Sequence, residues 1–154
     1  MTNDFRNAKK DLMKKGLRKS IPLRSGTEQL LTELKKQYKL AIATSTIKEF
    51  TDKIVDAYDL RKYFETIVVA EDVKKGKPDP EVYLLAAKRL HVNPSNCIVI
   101  EDATNGISAA KNAKMKCIAI KDHKGRDLSQ ADYIIEGFDE LTSETIEKVF
   151  RSTL

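Results

Sequence analysis

Four short apolar runs, Leu40–Ala43, Thr66–Ala70, Cys97–Ile100 and Cys117–Ile120, recur along the chain with helix-like stretches between them. Runs of this length and composition read as strands buried on both faces. Stretches long enough to hold a helix let each strand pair in parallel with a neighbour. Tyr133–Ile135 is a weaker fifth strand. From about Ile21 the order β-α-β-α-β-α-β predicts an α/β fold, a doubly wound parallel sheet with right-handed crossovers. A chain of 154 residues suffices for one such domain with its own core.

Local signals place the helices. Residues 5–17 read as a charged helix whose few apolar positions are Phe5, Ala8, Leu12 and Met13. Ser25-Gly26-Thr27-Glu28 has the form of a capping box opening a helix to about Gln37, with Leu30, Leu31 and Leu34 as its apolar stripe. Thr46-Ile47-Lys48-Glu49 is a second such box, for a helix to about Tyr58. Asp79-Pro80 predicts a helix start, Asn105 or Thr104 a cap for the next helix, and Ser143–Phe150 a terminal helix.

Charge is uneven: residues 1–39 hold 11 Lys/Arg against 4 Asp/Glu, within a chain of net charge +5. A basic arm can meet nucleic acid, but aromatic interleaving beyond Phe5 is lacking and the lysines follow a helical pattern. A solvated helix face is the expectation, with nucleic acid disfavoured as a partner. The apolar runs are too short to cross a bilayer, and Cys97 and Cys117 read as buried free thiols, so the expected location is the cytoplasm.

In a parallel sheet, ligands gather beyond the C-terminal ends of the strands. The polar residues directly after each strand are therefore the candidates for chemistry. Thr44 and Ser45 follow the first strand, Lys77 lies in the loop after the second, and Glu101 and Asp102 follow the third. A hydroxyl pair at a strand-to-helix turn suits phosphate oxygens. The lysine supplies a neutralising point charge. Adjacent carboxylates suit a hard divalent cation, Mg²⁺ foremost. Singly, each has an ordinary alternative: Thr44 and the Glu101-Asp102 pair as helix caps, Lys77 as a solvated loop lysine. The ordered set after successive strands is far more specific. It does not fit a Walker loop, because Glu71 stands where glycine is needed and Pro78 replaces the hydroxyl residue.

Leu40-Ala41-Ile42-Ala43-Thr44-Ser45, Gly76-Lys77-Pro78-Asp79-Pro80 and the run Ile98–Ile107 resemble the second, third and fourth motifs of the haloacid dehalogenase superfamily. Their spacing is similar to its β-phosphoglucomutase and sugar-phosphate phosphatase branch, over residues 20–140. The resemblance implies a Rossmann-like core over residues 21–154, with residues 1–20 a basic helical remnant of a cap or linker. It implies phosphate contacts from Thr44, Ser45 and Lys77, with Lys77 also orienting the nucleophile, and Mg²⁺ coordination by Asp102 assisted by Glu101. Lys114 stands where relatives usually place a helix-ending glycine.

That family's reaction uses a D-x-D motif on the central first strand, and no D-x-D occurs in this sequence. Three arrangements are then open for the strands ending at Thr44 and Glu101: direct pairing, a gap, or a strand accepted from elsewhere. The expected function is the C-terminal part of a Mg²⁺-dependent phosphatase or phosphomutase for a small phosphorylated metabolite, inactive alone. Its expected partner is a complementing N-terminal chain, or a second copy of itself. The alternatives are a non-catalytic Mg²⁺ and phosphate-binding module, or an interaction protein using its basic arm.

Overall fold

The computed structural model describes residues 14–122 and 124–152. Residues 1–13, the first third of the basic stretch over residues 1–39, therefore lie outside the described residues, and with them most of the helix read over residues 5–17. Residues 14–20 are helical (α1) and pass through Gly16. The elements that follow are α2 (Thr27–Lys35), β1 (Ala41–Ala43), α3 (Lys48–Ala57), β2 (Thr66–Val68), α4 (Glu81–Leu90), β3 (Ile98–Glu101), α5 (Thr104–Asn112), β4 (Lys116–Ile120), β5 (Tyr133–Ile135) and α6 (Ser143–Arg151). The α/β alternation read from the apolar runs is the observed architecture.

Every strand pairing is parallel, and the strands form two groups. β1 pairs with β2, and β3, β4 and β5 pair in that order. Among the described residues β1 and β3 share no ladder, so of the three arrangements left open direct pairing is excluded. Ile100, at the open edge of β3, keeps 37% of its surface exposed.

Side-chain alternation along β4 shows why both sheet faces are covered. Cys117 and Ala119 face a core built with Val82, Ala86 and Ala87 of α4 and Ile107 and Ala110 of α5. Ile118 and Ile120 face the opposite core, against Ile146 and Val149 of α6, with Leu30 and Leu34 of α2. A period of two on a strand buried on both sides produces this division. A third cluster joins Val55 and Ala57 of α3 to Tyr58, Leu60 and Tyr63, with Leu17, Ile42 and Ile67 packed against it. Burying an isoleucine such as Ile118 completely stabilises by about 1.5–3 kcal/mol.

The helix starts differ from both capping boxes. Gly26, at φ 78°, is the N-cap of α2 with no side-chain cap, and the Thr27 hydroxyl donates to the Arg24 carbonyl. At α3 the N-cap is Ile47, and the Lys48 N–H is received by both carboxylate oxygens of Glu71. A carboxylate from the loop after β2 thus satisfies an orphan donor that a local residue was expected to satisfy. Neither Thr104 nor Asn105 caps α5: its N-cap is Ala103, and the Thr104 hydroxyl donates to the Asp127 carbonyl. Asp79 does serve α4, accepting the Glu81 N–H. Lys114 lies at φ 58°, the left-handed region that favours glycine. Cys117 is buried and Cys97 only partly so, and both are free thiols. No helix among the described residues is long and apolar enough to cross a membrane.

A buried carboxylate ties the β4–β5 connection together. Asp132 accepts from Lys111 at 2.8 and 2.7 Å and from the Cys117 N–H at 2.7 Å, with Lys116 3.6 Å away. Burial pushes this carboxyl up, but the Lys111 hydrogen bond, the Cys117 N–H and the two lysine charges hold it below the ordinary aspartate value. Asp132→Ala leaves the Cys117 N–H and the Lys111 ammonium without that partner. The expected loss, read by urea unfolding, is about 2–3 kcal/mol.

Candidate functional site

The C-terminal ends of β1 and β3 meet at one lysine. Lys77 is presented by a loop fixed at several points. The Lys74 and Lys75 N–H groups donate to Glu81, the Asp79 N–H to the Gly76 carbonyl, and the Asn112 amide to the Pro78 carbonyl. The Lys77 ammonium lies 3.4 Å from the Ala43 carbonyl at the end of β1 and 2.5 Å from Glu101 Oε1 at the end of β3. One side chain therefore spans the seam between the two groups of strands. Both charges are nearly enclosed, with 14% and 10% of their side chains exposed.

Glu101 is held from every side. Its Oε1 accepts from Lys77 and, at 3.0 Å, from the hydroxyl of Tyr83 on α4. Its Oε2 accepts the N–H groups of Asp102 and Ala103 at 2.8 and 3.0 Å. A Cβ at Gly106 would overlap the carboxylate, so α5 approaches this closely only because that position is glycine. Burial pushes the Glu101 carboxyl up, and the hydrogen bond and charge of Lys77, with the two turn N–H groups, reverse this and leave it below the usual range. Tyr83 is pushed up from its ordinary value by burial and by the neighbouring Glu101 charge.

Thr44 sits beside this pair. Its N–H donates to the Val68 carbonyl and its Oγ1 accepts the Thr46 N–H at 3.1 Å, which holds the turn into α3 and leaves the hydroxyl hydrogen as a donor. Ser45, next along the turn, is exposed on the rim. Asp102 is separated from the lysine in role: 47% of its side chain is exposed, and its Oδ2 faces Arg126 at 3.5 Å and Arg24 at 4.0 Å. Arg126 also donates to the Asp102 carbonyl at 3.0 Å and lies 3.5 Å from Asp122, just past β4.

The structure thus joins Lys77 and Glu101 directly at the end of β1, where Thr44 and Ser45 follow Ala43 in the chain, while Asp102 stands apart from the lysine among arginines. Tyr83, Arg126, Arg24 and Glu71 were given no role of this kind from the sequence. For Arg126 a signal existed, since the rule that reads polar residues after each strand also applies to the loop following β4. For Tyr83 it was weak, because an aromatic on an amphipathic helix reads as core.

The donors present fit a hard cation in part. Asp102 offers carboxylate oxygen open to solvent, whereas all four acceptor positions of Glu101 are engaged by the protein. Among the described residues no three metal-binding side chains cluster.

The chain is similar to several known proteins. A phosphorylated carbohydrates phosphatase of Thermotoga maritima is 46% identical over 83 residues, 54% of this chain and 38% of that protein. Hexitol phosphatase B of Escherichia coli is 30% identical over 129 residues, 81% of this chain and 58% of that protein. The crystal structure of CbbY from Rhodobacter sphaeroides in complex with phosphate superposes with a TM-score of 0.74 at 30% identity, covering 90% of this chain and 64% of that one. The chain thus spans less than two thirds of the length of each of these proteins. The profile of the haloacid dehalogenase-like hydrolases matches residues 1–120, and with the parallel α/β core and the three strand-end motifs this makes the chain a member of that family.

Proposed function

We propose that this chain is the C-terminal part of a phosphatase or phosphomutase core that acts on a small phosphorylated metabolite of the sugar-phosphate class. The observation that carries this reading is the Lys77 ammonium, clamped between the ends of β1 and β3 beside Thr44. A positive charge in a nearly closed position is worth more to a phosphoryl group than a solvated one. The Thr44 hydroxyl and Ser45 supply further donors, and Lys77 neutralises the phosphoryl oxygens and orients the attacking carboxylate. Asp102 would hold Mg²⁺, which when bound offsets charge on the phosphoryl oxygens. Glu101 acts behind it, fixing Lys77 and the turn that presents Asp102. Two of the chain's relatives, a phosphorylated carbohydrates phosphatase and a hexitol phosphatase, support the substrate class.

The nucleophile in this reading is an aspartate of a D-x-D motif, absent from the sequence, that would arrive on a strand between β1 and β3. Among the described residues the unladdered edges of both strands and the exposed Ile100 favour an incoming strand; a complementing N-terminal chain would bring the D-x-D with it, whereas a second copy would fill the gap without a nucleophile. A binding module without turnover is the second reading, supported by donors at Lys77 and Thr44 that suit phosphate oxygens whether or not a nucleophile is present. Residues 1–20 as a cap remnant and 21–154 as the core complete the proposal.

Phosphate release from a panel of sugar phosphates with Mg²⁺ separates the readings. Turnover is expected only when the chain is mixed with an N-terminal fragment bearing D-x-D and a cap. Turnover by the chain alone, abolished by Asp102→Asn, would sink the split arrangement. Silence in both samples would leave the binding module.

A further inference from the structure

We propose that Tyr83 is a positioning residue for the Lys77 ammonium, acting through Glu101 and through its own ring face. This rests on the phosphoryl-binding reading of the site. Tyr83 is buried in the core between α4 and the sheet, where phenylalanine would fill the same space without a hydroxyl to satisfy. Its hydroxyl instead donates at 3.0 Å to the oxygen that also receives Lys77. The ammonium lies 4.8 Å from the centre of the tyrosine ring, on its face.

A lysine ammonium is a point charge with three freely rotating donors on a flexible stem, so it has no intrinsic direction. Here two of its donors have assigned acceptors, Glu101 Oε1 and the Ala43 carbonyl, and the ring closes a third side. The remaining N–H is thereby aimed. That aim depends on Glu101 being unable to rotate, which follows from its four donors. The Tyr83 hydroxyl is the one of the four that comes neither from the turn backbone nor from the lysine. Removing it leaves Oε1 held by Lys77 alone, so that carboxylate oxygen and ammonium can shift together.

The experiment uses the full chain with ¹⁵N-labelled lysine, as wild type, Tyr83→Phe, and a control, Tyr63→Phe. Tyr63 is also a buried tyrosine, its hydroxyl 3.3 Å from Thr32 in a different cluster. Proton exchange at the Lys77 ammonium is read by NMR, and inorganic phosphate affinity by ³¹P titration. With a hydrogen bond to a charged group removed, Tyr83→Phe should exchange about tenfold faster and bind phosphate about fivefold more weakly. Tyr63→Phe should change neither, while matching Tyr83→Phe in melting temperature. Gly106→Ala, which pushes the same carboxylate from its other side, should reproduce both losses with the tyrosine in place.

Unchanged exchange in Tyr83→Phe overturns the proposal, and so does faster exchange with unchanged phosphate affinity. If the wild type fails to bind phosphate, the phosphoryl-binding reading falls, and the exchange measurement alone decides whether Tyr83 fixes Lys77.

Discussion

Glu101→Ala is expected to destabilise the chain by about 3–5 kcal/mol, the cost of removing one partner from a buried ion pair. Four donors lose their acceptor at once: Lys77, Tyr83 and the N–H groups of Asp102 and Ala103. Two are backbone groups at a turn and one is a charge with 14% of its side chain exposed, so water replaces the lost acceptor poorly. Adding Lys77→Met to Glu101→Ala should recover about 1–3 kcal/mol, because the double variant no longer strands a charge. Urea unfolding of the four proteins in the cycle measures this. Purely additive losses would mean that the pair is not coupled.

The same carboxylate sets a pH dependence. Its folded-state pKa lies below its ordinary value of 4.5, so its stabilisation is present above that value and is lost as pH falls toward the lower folded one. Asp132 is shifted in the same direction and adds to the loss in the same acidic range. Unfolding midpoints of the wild type should therefore drop below about pH 4.5, and those of Glu101→Ala should drop less.

Lys77→Met is expected to have the largest effect on function, lowering kcat/KM of the chain completed with a D-x-D fragment by about 10²–10³-fold. Methionine keeps most of the stem volume and removes the charge that the phosphoryl oxygens would meet. Glu101 then stays buried without its cation, so a stability loss must be measured alongside and the assay run where the variant remains folded. Asp102→Asn, half exposed and outside the Lys77 clamp, should lose turnover with little change in unfolding midpoint. Lys77→Met turning over at the wild-type rate would remove the lysine from the mechanism.

Much of this site was readable along the chain. Thr44, Lys77 and Glu101 were named because each follows an apolar strand, and strand ends in a parallel sheet share an edge. The helix boundaries at Leu90 and Ser143 also came within reach of local signals. Capping was less legible. The boxes at Ser25 and Thr46 have the right residues, yet Arg24 and Glu71 supply the contacts actually made at those helix starts. A capping residue competes with whatever acceptor packing brings to the same N–H groups, and that competitor is invisible locally.

The order and kind of elements, the two-faced burial of β4 and the residue types at the strand ends were all legible along the chain. These follow from periodicity and short-range sterics, which act within a few residues. The division of the strands into two groups, and the place of Lys77 between them, came from long-range packing. That packing alone set the four donors around Glu101, two of them from Lys77 and Tyr83, and brought Arg126 to Asp102. Those contacts link residues far apart in the chain, and hydrogen-bond geometry at 2.5–3.5 Å is settled by how the helices pack on the sheet, which no local propensity encodes.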